Sequence, residues 1–160
     1  MDKISPCLWF DGNAEEAANF YVSIFKDSKI NRILRWNEDH EISGGKAGDV
    51  LLVEFTLFGK TYQGLNGGPQ FKFSEAVSFS VDCDDQAEVD TYWEKLTADG
   101  GKPVQCSWLT DKFGLSWQIV PRRLPELLND PDPAKATRVM RAMQQMVKID
   151  VAELERAAKG

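Results

Sequence analysis

FDGNAEEAANFY, residues 10–21, and VDCDDQAEVDTYW, residues 81–93, are one phrase written twice. Each opens on an apolar residue and Asp and then passes through a polar turn. Each places an Asx residue three positions ahead of a Glu, Asn13 with Glu16 and Asp85 with Glu88, and closes on an aromatic pair, Phe20–Tyr21 and Tyr92–Trp93. An Asx side chain accepts from the open amides of a first helical turn, and a Glu at the third position returns the bond. Both phrases therefore predict a capped helix start. Apolar residues then recur at helical spacing: Ala17, Phe20, Ile24 and Phe25 in the first, Val89, Tyr92, Trp93 and Leu96 in the second. Asp99-Gly100-Gly101 ends the second helix.

Working outward, an alternating strand precedes each helix. In ISPCLWF, Leu8 and Phe10 share one face, and Ser5, Cys7 and Trp9 the other. In AVSFSVD, Val77, Phe79 and Val81 oppose Ala76, Ser78 and Ser80. More strands follow each helix: KINRILRW, DVLLVEFTLFG and TYQGLNG after the first, with a hairpin at Phe58-Gly59-Lys60, then KPVQCSWL and GLSWQIV after the second. The order strand, helix, strands occurs twice, which predicts an α+β fold. Two βαβββ modules, residues 1–70 and 71–121, pair into a cupped mixed sheet with the helices on its outer face.

Residues 122–160 read as a separate helical tail. Asp132 caps a helix with Pro133 at its first position, and Asp150 with Glu153 caps a shorter one. Ala136, Met140, Met143 and Val147 form an apolar stripe, with Val139 and Met146 at its flank. This stripe packs on the domain or on a second subunit.

Composition excludes several roles. With 160 residues, 42% apolar and 28% charged, the chain is an ordinary globular one. A net charge of −6 argues against nucleic acid and anionic membrane surfaces as partners. No apolar run spans a bilayer, and the opening KISPCLWFDGN lacks a signal-peptide apolar region. Three cysteines without CxxC spacing fit a reduced, cytoplasmic setting.

Three stretches, PCLWFDGNAEEAANFYVSIF, LNGGPQFKFSEAVSF and DKFGLSWQIVP, resemble the PhnB-like family, as does the tail DPDPAKATRVMRAMQQMVKID. That family carries the label 3-demethylubiquinone-9 3-methyltransferase and is a branch of the vicinal oxygen chelate superfamily. Other branches of the superfamily are glyoxalase I, extradiol dioxygenases, and the fosfomycin- and bleomycin-resistance proteins. The resemblance implies a cup whose inner face, in metal-dependent members, holds one divalent ion on His and Glu from the first and last strands of each module. In this chain those positions fall on Ser5, or Pro6 if the register slips, and Gln63, then on Ala76 and Gln118. Hydroxyls and amides are poor ligands for such ions, and the one histidine, His40, lies in the loop NEDHEISGG. No metal and no cofactor is therefore expected. None of the pairs Gly44-Gly45, Gly67-Gly68 and Gly100-Gly101 follows a strand and opens a helix, as a turn for S-adenosylmethionine requires.

The cup lining is instead mixed: Ser5, Cys7, Trp9, Gln63, Leu65, Asn66, Ser78, Cys106, Trp108 and Gln118. Cys106 joins through the strand KPVQCSWL, where Val104, Cys106 and Trp108 share a face. Trp9 and Trp108 fit either a core or a ligand lining. Such a surface suits a small organic ligand. No carboxylate falls at an inner-face ligand position, so no acid–base pair is expected and catalytic residues stay unassigned. The expectation is a metal-free small-molecule-binding protein that forms a homodimer. The alternative is an enzyme on the same scaffold, of lyase or isomerase type or the labelled methyltransferase.

Overall fold

The computed structural model describes residues 2–160, in two compact units that divide between residues 72 and 73. In the first unit, strand β1 (Cys7–Phe10) leads into helix α1 (Ala14–Ile24), followed by β2 (Lys29–Arg35), β3 (Val50–Leu57) and β4 (Lys60–Asn66). The sheet order is β1-β4-β3-β2, with β1 parallel to β4 and the other pairs antiparallel. The β3–β4 turn is Phe58-Gly59, with φ of 47° and 77°, the pair of left-handed residues whose twist matches a two-residue hairpin. Helix α1 covers one face. Its Tyr21 ring lies 6.2 Å from Phe55, and Leu8, Phe10, Val53 and Phe55 are buried beneath it. Gly64 lets the helix come close, because a Cβ there would meet the Ala14 Cβ at 3.4 Å.

The second unit repeats the plan. Strand β5 (Ser78–Cys83) is followed by α2 (Gln86–Thr97), β6 (Lys102–Pro103), β7 (Trp108–Thr110) and β8 (Ser116–Pro121), in the sheet order β5-β8-β7-β6. Val89, Tyr92 and Leu96 of α2 are buried, as are Val81, Cys83, Leu109, Trp117 and Ile119 of the sheet. Asp111, in the β7–β8 turn, is buried. It accepts from the Phe113 and Leu115 amides at 2.8 and 3.1 Å and from Trp117 Nε1 at 2.9 Å. The α+β class and both βαβββ modules are as expected from sequence, each module closing its own four-stranded ladder.

The expected single strand KPVQCSWL is corrected. It is a hairpin, β6 and β7 joined by Gln105-Cys106-Ser107, with Val104 N donating to Trp108 O at 2.8 Å. This turn supplies the third strand of the second module. Cys106 and Ser107 take left-handed φ of 58° and 77°, which side-chain-bearing residues rarely adopt. The tail holds them there: Cys106 N donates to Met146 O and Ser107 N to Val147 O, both at 2.9 Å.

The tail has three helices, α3 (Arg123–Leu128), α4 (Pro133–Gln144) and α5 (Val151–Lys159), of which the sequence reading lacked α3. They pack on one another through Leu124, Leu127, Val139, Met146, Ile149 and Leu154. The expected stripe is displaced: Val139 and Met146 are buried, while Met140 and Val147 are 40% and 44% exposed. Arg138 closes α5 by donating to the Ala157 and Ala158 carbonyls at 3.0 and 2.8 Å. Gln86 of α2 grips the tail backbone as a peptide group would, with Nε2 donating to Ile149 O at 3.0 Å and Oε1 accepting from Val151 N at 2.8 Å. Among the described residues no helix is long and apolar enough to cross a membrane.

Candidate functional site

Alternation along the strands of the first unit sends one set of side chains to α1 and the other to the opposite face. On that opposite face two rows cross all four strands. Cys7, Gln63, Glu54 and Arg32 align in one, and Trp9, Leu65, Leu52 and Leu34 in the next. Two strand residues separate the rows, a distance of about 7 Å. A polar row and an apolar row thus lie side by side.

Glu54 is the functional candidate that sequence reading missed. The lone charge inside VLLVEFTLF was the available signal. Its side chain is 10% exposed, against 53% for its ion-pair partner Arg32 at 3.4 Å. Glu54 borders a cavity of about 340 Å³ together with Ser5, Thr61 and Gln63, and the exposed Asp2 and Lys3 also line it. Glu54 adds a carboxylate to this face at a place outside the four expected ligand positions.

Trp9 is fixed at the apolar row. Its indole N–H donates to Gly68 O at 2.9 Å, and the Phe71 ring stands edge-on at 4.9 Å. Gly67 lies so close that an added Cβ would fall 2.4 Å from the indole. Asn66, expected in the lining, belongs to the other face. It is buried, with Oδ1 accepting from Ala14 N and Nδ2 donating to Val50 O, each at 2.9 Å. It caps α1, a role expected of Asn13, which makes no side-chain cap bond.

In the second unit the face turned away from α2 carries Ser78 beside Ser116, and Ser80, Gln118 and Trp108 in one row. Gln118 Nε2 donates to Ser78 Oγ at 3.0 Å. Cys106 does not share a strand with Trp108. It occupies the β6–β7 turn, so the alternation that placed it in the lining does not apply. Cys83 is buried under α2, and burial, helped by the Glu88 carboxylate, pushes its thiol up to about 12. Burial also raises the Cys7 thiol, although that residue is exposed overall.

Among the described residues no three His, Cys, Asp or Glu side chains gather as a metal site. Ser5 and Gln63, both neutral, share a cavity with Glu54. Gln118 is bonded to Ser78. His40 stacks on Trp36 at 4.5 Å and pairs with Ser43 Oγ at 2.9 Å. This donor set does not fit a divalent transition ion.

One glycine does stand between a strand and a helix: Gly12, φ 83°, joins β1 to α1. A cavity of about 480 Å³ opens beside it, lined among others by Asp11, Glu15, Trp36 and Asp49. The turn has a single glycine, Asn66 occupies the Ala14 amide, and Asp11 and Glu15 flank the helix start. Those features do not fit a glycine-rich cofactor loop, which needs free amides and room for an anionic group.

Residues 2–120 match the family model described as 3-demethylubiquinone-9 3-methyltransferase. The chain belongs to this family. The PhnB protein of Bacillus cereus, which carries the same description, is 37% identical, with 75% of this chain and 99% of that one covered and a TM-score of 0.67. PA1353 of Pseudomonas aeruginosa, 18% identical over 76% of this chain and 98% of its own, has a TM-score of 0.61. The fosfomycin resistance protein FosX of Listeria monocytogenes, in a complex with Mn(II) and sulfate, is 16% identical over 80% and 97%, with a TM-score of 0.53. The last two share the fold alone. No curated protein matches. The sheet faces of this PhnB-like chain carry amides, hydroxyls, indoles and the buried carboxylate of Glu54.

Proposed function

We propose that this PhnB-like protein is a metal-free, cytoplasmic binder of a small organic molecule. The binding surface is the sheet face turned away from the helix of each module. Ser5, Cys7, Trp9, Gln63 and Leu65 are the contact residues on the first module's face, and Ser78, Trp108 and Gln118 those on the second module's own face. The observation that carries this reading is the pair of adjacent rows, Cys7-Gln63-Glu54-Arg32 and Trp9-Leu65-Leu52-Leu34. A purely structural sheet face has no need of a buried carboxylate bordering a cavity, whereas a ligand site uses apolar bulk with a few orienting polar groups. The polar row provides hydrogen bonds for binding. Its one carboxylate, Glu54, is ion-paired to Arg32 and has no second carboxylate or histidine beside it in the row to complete an acid–base pair, so binding is favoured over turnover.

The deciding experiment is mass spectrometry of the protein purified under native conditions, read for a co-purifying small molecule, with elemental analysis after dialysis. A stoichiometric organic ligand and no stoichiometric metal are expected. One zinc, nickel or iron per chain, lost in Gln118→Ala, overturns the reading. We further propose a homodimer, since the exposed Met140 and Val147 leave apolar surface on the tail. Light scattering at about 18 kDa over a wide concentration range overturns that part.

A second reading is the methyl transfer named in the family description. What supports it is the family-model match over residues 2–120, and not the turn at Gly12, which does not fit the cofactor. Calorimetry with S-adenosylmethionine separates the two: no binding is expected, and a one-to-one micromolar isotherm favours the enzyme.

A further inference from the structure

Glu54 is a carboxylate held away from solvent in the middle of a sheet face. Its partner Arg32 sits mainly in water, and the 3.4 Å contact between them is a single long one. The other side chains lining the cavity from the strands, Thr61 and Gln63, are neutral, as is Ser5. Asp2 and Lys3, also on the lining, carry opposite charges and offset each other. A molecule entering this cavity therefore meets an acceptor with a negative charge. About 7 Å along the strands it meets the apolar row, where Trp9 is locked in place by Gly68 and Phe71.

From this geometry we infer the chemical class of the ligand: an apolar, ring-sized body carrying a hydrogen-bond donor, an alcohol or an amine, and not a carboxylate. Glu54 is the residue that sets this choice. The inference rests on the binding reading above. The donor head bonds to Glu54, with the Gln63 amide beside it in the same row, and the body lies on Trp9 and Leu65. An anionic head brings like charges together in a partly dry site, which is the costly arrangement by which binding sites reject a wrong partner.

A matched series tests this: 4-phenylbutan-1-ol, 4-phenylbutylamine and 4-phenylbutyrate, which share a body and differ only in the head. Each is titrated into the full-length protein while the indole N–H resonances of its five tryptophans are followed by NMR. The Trp9 signal is assigned from Trp9→Phe. The alcohol and the amine are expected to shift that signal at concentrations at least about tenfold lower than the butyrate. In Glu54→Gln the gap should close to within about twofold, through stronger binding of the butyrate. Equal binding of all three by the wild-type protein, or a preference for the butyrate, overturns the inference and leaves the site itself standing. If no member moves the Trp9 resonance while other indoles shift, the ligand lies elsewhere, and the proposed site falls together with its selectivity. The wild-type comparison decides the matter even if Glu54→Gln does not fold.

Discussion

The Asn66 side-chain oxygen accepts a hydrogen bond from the backbone amide of Ala14, which lies 52 residues earlier in the chain. The same amide group donates to the Val50 carbonyl, so one side chain ties the start of α1 to β3 and β4. Cap loss costs roughly 0.5–2 kcal/mol, and an unpaired buried carbonyl adds about 1–3. Asn66→Ala should therefore lower stability by about 2–3 kcal/mol. Asn66→Asp keeps the cap acceptor and loses the donor, and should fall between Asn66→Ala and wild type. Asn13→Ala should cost less than about 0.5 kcal/mol, since Asn13 makes no cap bond. Urea unfolding midpoints at constant m-value measure all three, and equal losses at positions 13 and 66 would refute the assignment.

Gly67→Ala should expel the Trp9 indole from its position. The added methyl would sit 2.4 Å from the ring, so the ring must turn and give up its bond to Gly68 O. Overpacking of this kind costs about 1–3 kcal/mol. The expected signature is a red-shifted tryptophan emission in a chain whose far-ultraviolet circular dichroism is unchanged. Unaltered emission counts against a fixed Trp9.

The Cys83 thiol, raised to about 12 by burial and the Glu88 charge, should stay unreactive toward a disulfide reagent at pH 8 until the chain unfolds. The folded state holds this proton more tightly than the unfolded state does. Stability from this group is therefore present below the ordinary thiol value of 9.0 and declines as pH rises from there toward about 12. Cys83→Ala should flatten that alkaline decline, though it also removes packing. Rapid labelling of Cys83 in the native protein contradicts the burial.

Three carboxylates holding the second unit titrate low. Hydrogen bonds from Lys148 and Gln86 lower Asp90, bonds from Lys135 and the Asp132 amide lower Asp130, and the Arg123 guanidinium lowers Glu155. For a depressed carboxyl the sign is opposite: the stabilisation is present above the unfolded value, 3.8 for Asp and 4.5 for Glu, and is lost as pH falls through the folded value. Helical signal at 222 nm should accordingly decline with acid below about pH 4. In Glu155→Gln the decline should start from a less stable protein and be shallower. An acid profile identical to wild type shows that the Arg123 pair contributes nothing, as many exposed pairs do.

Local chemistry was legible in the sequence, and long-range chemistry was not. The caps Asp85, Asp132 and Asp150 all accept from their own helices, as their spacing predicts. Asn13 had the same spacing and lost its role to a residue that only the folded sheet brings near. The turn at Gln105-Cys106-Ser107 has none of the Gly, Asn or Asp that turns of this kind prefer, so KPVQCSWL read as one strand. The tail stripe was misplaced because α3, unrecognised, is part of what α4 packs against. Alternation put Cys7, Trp9, Gln63 and Leu65 on one side, as the ladder has them, whereas Asn66, assigned to the rim from the loop NGGPQFKF, lies on the other. Glu54 was passed over because its neighbours read as core.

The left-handed pair at Cys106 and Ser107 also sets an order of events during synthesis. A chain leaving the ribosome amino-terminus first has every strand of its first module by residue 66. The second module has its last strand by residue 121, but the carbonyls that hold its turn belong to residues 146 and 147, and the backbone gripped by Gln86 runs to residue 151. The first half can close while the second is still being made. The second stays incomplete for roughly thirty residues beyond its last strand, about two to six seconds at ordinary elongation rates. In that interval β6 and β7 have neither their finished turn nor their tail, and this is when a chaperone has most to protect.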